Sequence, residues 1–253
     1  MADPTLAFDI PCSVLCSSMK KPRCGGTPAF KMKVGSKEWQ HFIIEGARSL
    51  GIEINEAATA AFSIHASELI NWNRIINLTA ITDPRDIAAK HILDSLAPAE
   101  FIPDEARLLD IGSGGGFPGI PLKIFKPAVS VLLIDGVRKK VNFLKHLIRT
   151  LRLVNIEALQ VRAENLRQVR RCEHSFDVII SRALSDLAPF VNSALPLLAD
   201  QGKIIAMKGE VDPKELTALR TDTPADRYAL DVKNYRLPSI DATRSLVIVK
   251  HLN

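Results

Sequence analysis

The sequence predicts an α/β protein, a doubly wound, mostly parallel sheet with a C-terminal antiparallel hairpin, preceded by an N-terminal helical subdomain. Three observations predict it. From residue 106 onward strand-like runs alternate with helix-like stretches, a glycine-rich turn follows the first of those runs, and the last two runs have no full helix between them. Alternation of this kind calls for a parallel sheet covered on both faces, and the missing last helix calls for a hairpin.

The helical part comes first. Over 38–50 the apolar residues Trp39, Phe42, Ile43, Ala47 and Leu50 recur at helical spacing, and Gly51 stops the pattern. A second helix is predicted from Asn55 as N-cap, with Ala58, Ala61, Phe62, Leu69 and Trp72 on one face. A third is marked by Asp83 as N-cap and Pro84 at the first helical position, and it carries Ile87, Ala88, His91, Ile92, Ser95 and Leu96. His91 falls on the apolar face, which favours a structural role. Strands follow at 107–111, 129–134, 155–161, 176–180 and 203–207, and the hairpin at 228–235 and 245–250. The expected division is therefore 1–36 as a disordered extension, 37–104 as the helical subdomain and 105–253 as the sheet core.

The turn itself reads Asp110-Ile111-Gly112-Ser113-Gly114-Gly115-Gly116-Phe117-Pro118-Gly119. Glycines let a backbone leave a strand sharply and approach a ligand closely, so the turn reads as a cofactor loop. A phosphate-binding P-loop would close on Gly-Lys-Ser/Thr, and this one closes on Phe-Pro-Gly, which leaves ATP without its lysine. The second strand ends in Asp135, placed to accept hydrogen bonds from ribose hydroxyls. Both NAD and S-adenosylmethionine carry that ribose. Asp110 favours S-adenosylmethionine, whose amino group is cationic, over a pyrophosphate that a carboxylate would repel. The terminal hairpin points the same way, since it is typical of class I (Rossmann-like) methyltransferases.

Composition bounds the rest. A chain of 253 residues with 47% hydrophobic content builds a sizeable core, and no run approaches ~18 uninterrupted apolar residues. The cysteines Cys12, Cys16, Cys24 and Cys172 form no paired metal pattern, and the first three would need a fourth ligand such as His41. No metal is expected, and a reducing cytoplasm is the simplest setting. The formal charge of +5 permits a polyanionic partner. Arg138, Lys139 and Lys140, followed by Lys145, His146, Arg149 and Arg152, load one predicted helix with cations, the first three where the helix dipole disfavours them. A solvated helix face and a nucleic-acid contact account for them equally well.

Three stretches together resemble the RsmG (GidB) family, which methylates guanine N7 in bacterial small-subunit (16S) ribosomal RNA. They are Asn73-Arg74-Ile75-Ile76-Asn77-Leu78-Thr79-Ala80-Ile81 with Lys90-His91-Ile92-Leu93-Asp94-Ser95, the loop from Asp110 to Pro121, and Ser181-Arg182-Ala183. The resemblance spans about residues 38–250. It implies S-adenosylmethionine as cofactor, with Gly112, Gly114 and Phe117 in the first loop, Asp135 on the ribose, Ala163 and Glu164 on the adenine side, and Arg182 after the fourth strand. Gly136-Val137 departs from the serine-containing pattern expected after Asp135. Each residue has a plainer competing role: Phe117 as core packing, Glu164 on a surface loop, and Arg182 paired with Asp177 or Asp186.

Guanine N7 attacks with an in-plane lone pair, so no general base is expected and catalysis would be proximity and orientation. Expected RNA contacts are Arg138, Lys139 and Lys140 with the rest of their helix, Lys90-His91 and Lys208. The partner is ribosomal RNA or the small subunit, and a monomer is expected. The alternatives are a non-catalytic RNA-binding protein of the same fold and, less favoured, an NAD-dependent oxidoreductase, for which no Tyr-x-x-x-Lys or His-Asp arrangement follows the nucleotide half.

Overall fold

Side-chain caps start the three early helices. The computed structural model describes residues 32–162, 165, 175–182, 186–222, 228–238, 240 and 242–251. Helix α1 (Lys37–Ser49) begins where Ser36 accepts a hydrogen bond from the Trp39 amide at 3.2 Å. It ends at Gly51, whose φ of +75° is a conformation other residues rarely adopt. Helix α2 (Glu56–Asn73) is capped by Asn55, which accepts from the Ala58 amide at 2.8 Å. A third helical stretch, α3, covers 84–96, with Asp83 accepting from the amides of Arg85 and Asp86 at 2.9 and 3.1 Å.

Its middle, Ile87–Leu93, winds as a π-helix, a rare form that turns successive side chains through a wider step. Nothing in the apolar spacing announces it. The stretch carries Lys90 and His91, and the wider turn is where those two residues meet the sheet. A short 3₁₀ turn, Ala97–Phe101, leads on to the strands.

Seven strands, β1 (Arg107–Ile111), β2 (Ser130–Asp135), β3 (Ile156–Gln160), β4 (Phe176–Arg182), β5 (Leu198–Lys208), β6 (Tyr228–Arg236) and β7 (Thr243–His251), form one sheet in the order 3-2-1-4-5-7-6. The first five are parallel, and β7 lies antiparallel between β5 and β6. This is the predicted doubly wound sheet with its hairpin. Strand order reverses between β1 and β4, so the carboxyl ends of those strands border a crevice, the usual ligand position in such a sheet.

Residues alternate between two cores, as strand geometry requires. Val178 and Ile180 of β4 face one side with Leu108, Val131, Leu246 and Ile248, together with the buried faces of α1, α2, α3, α4 (Gly119–Phe125) and α5 (Arg138–Thr150). Ile179 faces the other with Leu109, Val247 and Val249, against α6 (Leu187–Ala194) and α7 (Pro213–Asp222). Met32 and Val34 pack against the first core, and residues 1–31 of the expected extension lie outside the described residues. The expected cysteine cluster Cys12, Cys16 and Cys24, and Cys172, lie outside the described residues.

Candidate active site

The glycine-rich turn leaves β1 in the expected place, and its backbone explains its glycines. Gly112, Gly114 and Gly116 hold φ of +77°, +53° and +88°. A side chain on Gly116 would come within 2.8 Å of Ile120, whereas one on Gly112 would meet nothing within 4 Å. Gly112 thus borders open space where a ligand can lie against the backbone.

Two carboxylates hold this loop. Asp135, at the end of β2 and 6% exposed, accepts from the amides of Gly114 at 3.0 Å and Val137 at 2.8 Å. Each of its oxygens keeps a further lone pair, so acceptor capacity for ribose hydroxyls remains. Asp110 is fully buried and accepts from the Gly119 amide at 2.9 Å. Burial pushes its carboxyl up to about 7, against the opposing hydrogen bond from Gly119. Its other oxygen, Oδ1, is buried with no hydrogen-bond partner among the described residues. Its carboxylate lies beneath the loop, on the first turn of α4.

Phe117 is 3% exposed and sits between two imidazoles, His65 at 4.5 Å and His91 at 4.6 Å between ring centroids, both stacked. Arg182 lies 5.0 Å from the same ring. The side chain packs in the core, and the Phe117 amide donates to the Ser113 carbonyl at 3.0 Å. His65 donates from Nε2 to the Gly115 carbonyl at 2.8 Å, while its Nδ1 is buried with no partner among the described residues. Desolvation drives His65 down to about 4. His91 is driven down to about 3, by burial first and by the Arg182 charge second. Both rings are neutral near pH 7.

The partner of Arg182 is neither Asp177 nor Asp186. Asp177 instead accepts from the Arg107 amide at 2.7 Å. Arg182 donates to the Lys90 carbonyl at 2.9 Å and to His91 Nδ1 at 3.1 Å, and stands 3.6 Å from Asp94. Because Nδ1 accepts, His91 Nε2 carries the proton and donates to Thr79 Oγ1 at 2.8 Å. The asparagine-leucine-threonine segment gains a physical role here. Asn73 accepts from the amides of Leu78 and Thr79 and donates to the Thr79 carbonyl, which holds Thr79 against His91.

Asp94 also accepts from the Tyr235 hydroxyl at 2.7 Å and lies 3.8 Å from Arg244. Asp94, Arg182 and Arg244 border a cleft of about 450 Å³ beside the carboxyl ends of β4 and β5, with Lys90, Met207 and Lys208 in its lining. Lys208 shares its ammonium with both oxygens of Glu215, at 2.6 and 2.8 Å. Sequence reasoning missed His65, Asp94, Tyr235 and Arg244. His65 was signalled by its place on the helical face between Phe62 and Leu69, and Asp94 by its place in the Lys-His-x-Leu-Asp-Ser run. Tyr235 had no signal, because its partner is 141 residues away.

Arg138, Lys139 and Lys140 open α5, the first two exposed, with no side-chain cap at the helix start. His146 does not belong with them. It contacts Glu68 at 2.6 Å and lies against Trp72, facing α2. Ala163 and Glu164 lie outside the described residues.

The family described as rRNA small subunit methyltransferase G matches residues 58–246, three quarters of the chain. The chain belongs to this family. Ribosomal RNA small subunit methyltransferase G of Geobacter sp. (strain M21) is 43% identical over 206 residues, covering 81% of this chain and 94% of the relative. The protein of the same description from Acinetobacter baylyi is 35% identical over 208 residues, covering 82% and 95%. Among solved structures, TYW2 of M. jannaschii in complex with AdoMet superposes with a TM-score of 0.52 at 18% identity, over 64% of this chain and 75% of that one. That likeness concerns the fold of the family's sheet core alone. The family match itself spans the glycine-rich loop, the helices that supply His65, His91 and Asp94, and the connection that carries Thr79.

Proposed function

We propose that this chain transfers a methyl group from S-adenosylmethionine to guanine N7 in small-subunit ribosomal RNA. Membership of the rRNA small subunit methyltransferase G family carries the reading. The open space over Gly112 and the spare lone pairs of Asp135 fit the cofactor. Gly112 and Gly114 would pass along it with bare backbone, Phe117 would support the loop against it, and Asp135 would take the ribose hydroxyls. Ala163 and Glu164 would meet the adenine ring, and Arg182 would close the site from β4. The cofactor supplies, when bound, a sulfonium-activated methyl group.

Guanine N7 needs no deprotonation, so the protein has to position rather than to move a proton. The side chains nearest the loop agree with that requirement. His65 and His91 are neutral, and both nitrogens of His91 are engaged, by Thr79 and Arg182. Their rings hold Phe117, and through it the loop, in one place. The helices within 37–104 serve as the substrate side and 105–253 as the cofactor side, with Arg138, Lys139 and Lys140 facing RNA phosphates, whereas the charge of Lys208 is taken up by Glu215. The protein acts as a monomer in the cytoplasm, on ribosomal RNA or the small subunit. Among the described residues no helix is long and apolar enough to cross a membrane.

Calorimetry with S-adenosylmethionine and with NAD tests the cofactor, and only the first is expected to bind. Mapping N7-methylguanine in ribosomal RNA from a deletion strain tests the activity. Retention of every N7-methylguanine in that strain would overturn the reading.

A further inference from the structure

Among the described residues the cleft beside β4 and β5 is lined by one carboxylate, Asp94, which stands between two guanidinium groups. Asp94 is 5% exposed, yet among the described residues its carboxylate's one hydrogen bond within 3.5 Å is from Tyr235, at 2.7 Å. Arg182 and Arg244 stand at 3.6 and 3.8 Å, which is ion-pair rather than hydrogen-bond distance. An ionised carboxylate accepts about four hydrogen bonds. Leaving most of that capacity empty in a buried site is costly, and the open side of Asp94 is the cleft.

The arrangement offers a ligand a definite pattern: a guanidinium donor next to two carboxylate acceptors. Guanine is its complement. Along one edge it presents the O6 acceptor, the N1–H donor and the N2–H donor in that order. Adenine presents a donor, then the bare lone pair of N1, which a carboxylate repels, and no amino group at C2. Ile81 and Met207 add apolar lining for the ring faces.

We propose that this cleft binds the target nucleotide and that Asp94 selects guanine, accepting hydrogen bonds from N1–H and N2–H while a flanking arginine donates to O6. The inference rests on the methyl-transfer reading above and deepens it. A base held by this edge keeps N7 on the opposite side of the ring, uncovered. It also has to be unpaired, since Asp94 occupies the edge that a pairing cytosine would use.

The test measures equilibrium binding of guanosine, inosine and adenosine 5′-monophosphates to the full chain saturated with S-adenosylhomocysteine. Inosine differs from guanosine only by the missing N2 amino group, so it isolates one bond to a charged acceptor. We expect the guanosine nucleotide to bind about ten-fold or more tighter than the other two. Asp94→Asn, which retains volume and an acceptor for Tyr235, brings guanosine to within about three-fold of inosine. The wild-type comparison decides the matter even where that variant fails to fold. Equal wild-type binding of guanosine and inosine nucleotides, or no saturable binding of guanosine nucleotide, overturns the proposal. Transfer of labelled methyl from S-adenosylmethionine to N7 of guanine in small-subunit ribosomal RNA is measured in parallel. Transfer without guanosine–inosine discrimination overturns only the role of Asp94, whereas absence of transfer overturns the underlying reading as well.

Discussion

Gly112 holds a φ of +77° beside open space, so a branched side chain there is strained and fills the room a ligand needs. Gly112→Val is expected to fold, with a loss of about 1–3 kcal/mol, and to lose S-adenosylmethionine binding in calorimetry. Wild-type affinity in the folded variant would remove Gly112 from the site. The buried titratable groups make a second prediction at this scale. His65 and His91 protonate at about 4 and 3 when folded, against 6.5 when unfolded, so acidification below about 6.5 favours the unfolded chain, progressively to about 3. Asp110 has the opposite sign. Its folded value near 7 lies above its unfolded 3.8, so its contribution is complete below 3.8 and is lost as pH rises towards 7. Burial raises Asp94 in the same sense. Asp110→Asn removes one opposing proton and is expected to steepen the loss of stability between pH 6.5 and 4 by up to about 1.4 kcal/mol per pH unit. Urea denaturation at several pH values checks it, and an unchanged slope would mean that Asp110 does not take up its proton in this range.

Among the elements, α5 is the clearest example of a helix built against its own dipole. Arg138, Lys139 and Lys140 occupy its first turn, where positive charge is disfavoured, and the turn has no side-chain cap. A phosphate partner would account for that placement. Replacing all three with Gln is expected to weaken RNA binding and to reduce the log-log salt slope by roughly one unit per lost phosphate contact, with cofactor affinity nearly unchanged. Helix stability should rise slightly. An unchanged slope in filter-binding titrations would return the cluster to a solvated face. The early helices were legible because their caps are local: Asn55 and Asp83 each reach amides two or three residues ahead. The π-helical turn over Ile87–Leu93 was not, since apolar spacing over two turns cannot separate it from an α-helix. His146 was read with the cations of its helix for a similar reason. Its facing partners, Glu68 and Trp72, belong to α2.

For the molecule as a whole, the described fold begins at Met32, and this changes what truncation should do. A chain starting at Met32 keeps the packing of Met32 and Val34 and the Ser36 cap, and is expected to match the full chain in rRNA methylation and melting temperature. A chain starting at Lys37 loses all three. The cap alone accounts for about 1 kcal/mol, or a melting temperature lower by about 2–4 °C, and the exposed apolar surface adds to it. Equal melting of the two truncated chains would show those contacts to be idle. The alternation of strands and helices along the chain, the Asn55 and Asp83 caps, the glycine turn and the family resemblance were all determined by the sequence alone. Each is written in short-range spacing, where period and turn chemistry decide the outcome. Which buried groups meet was decided only by the tertiary structure: His65 under Gly115, Arg182 against Lys90 and His91, and Tyr235 on Asp94, pairs 50 to 141 residues apart. Periodicity specifies which face of an element turns inward, but the neighbour it finds there depends on how separate elements stack.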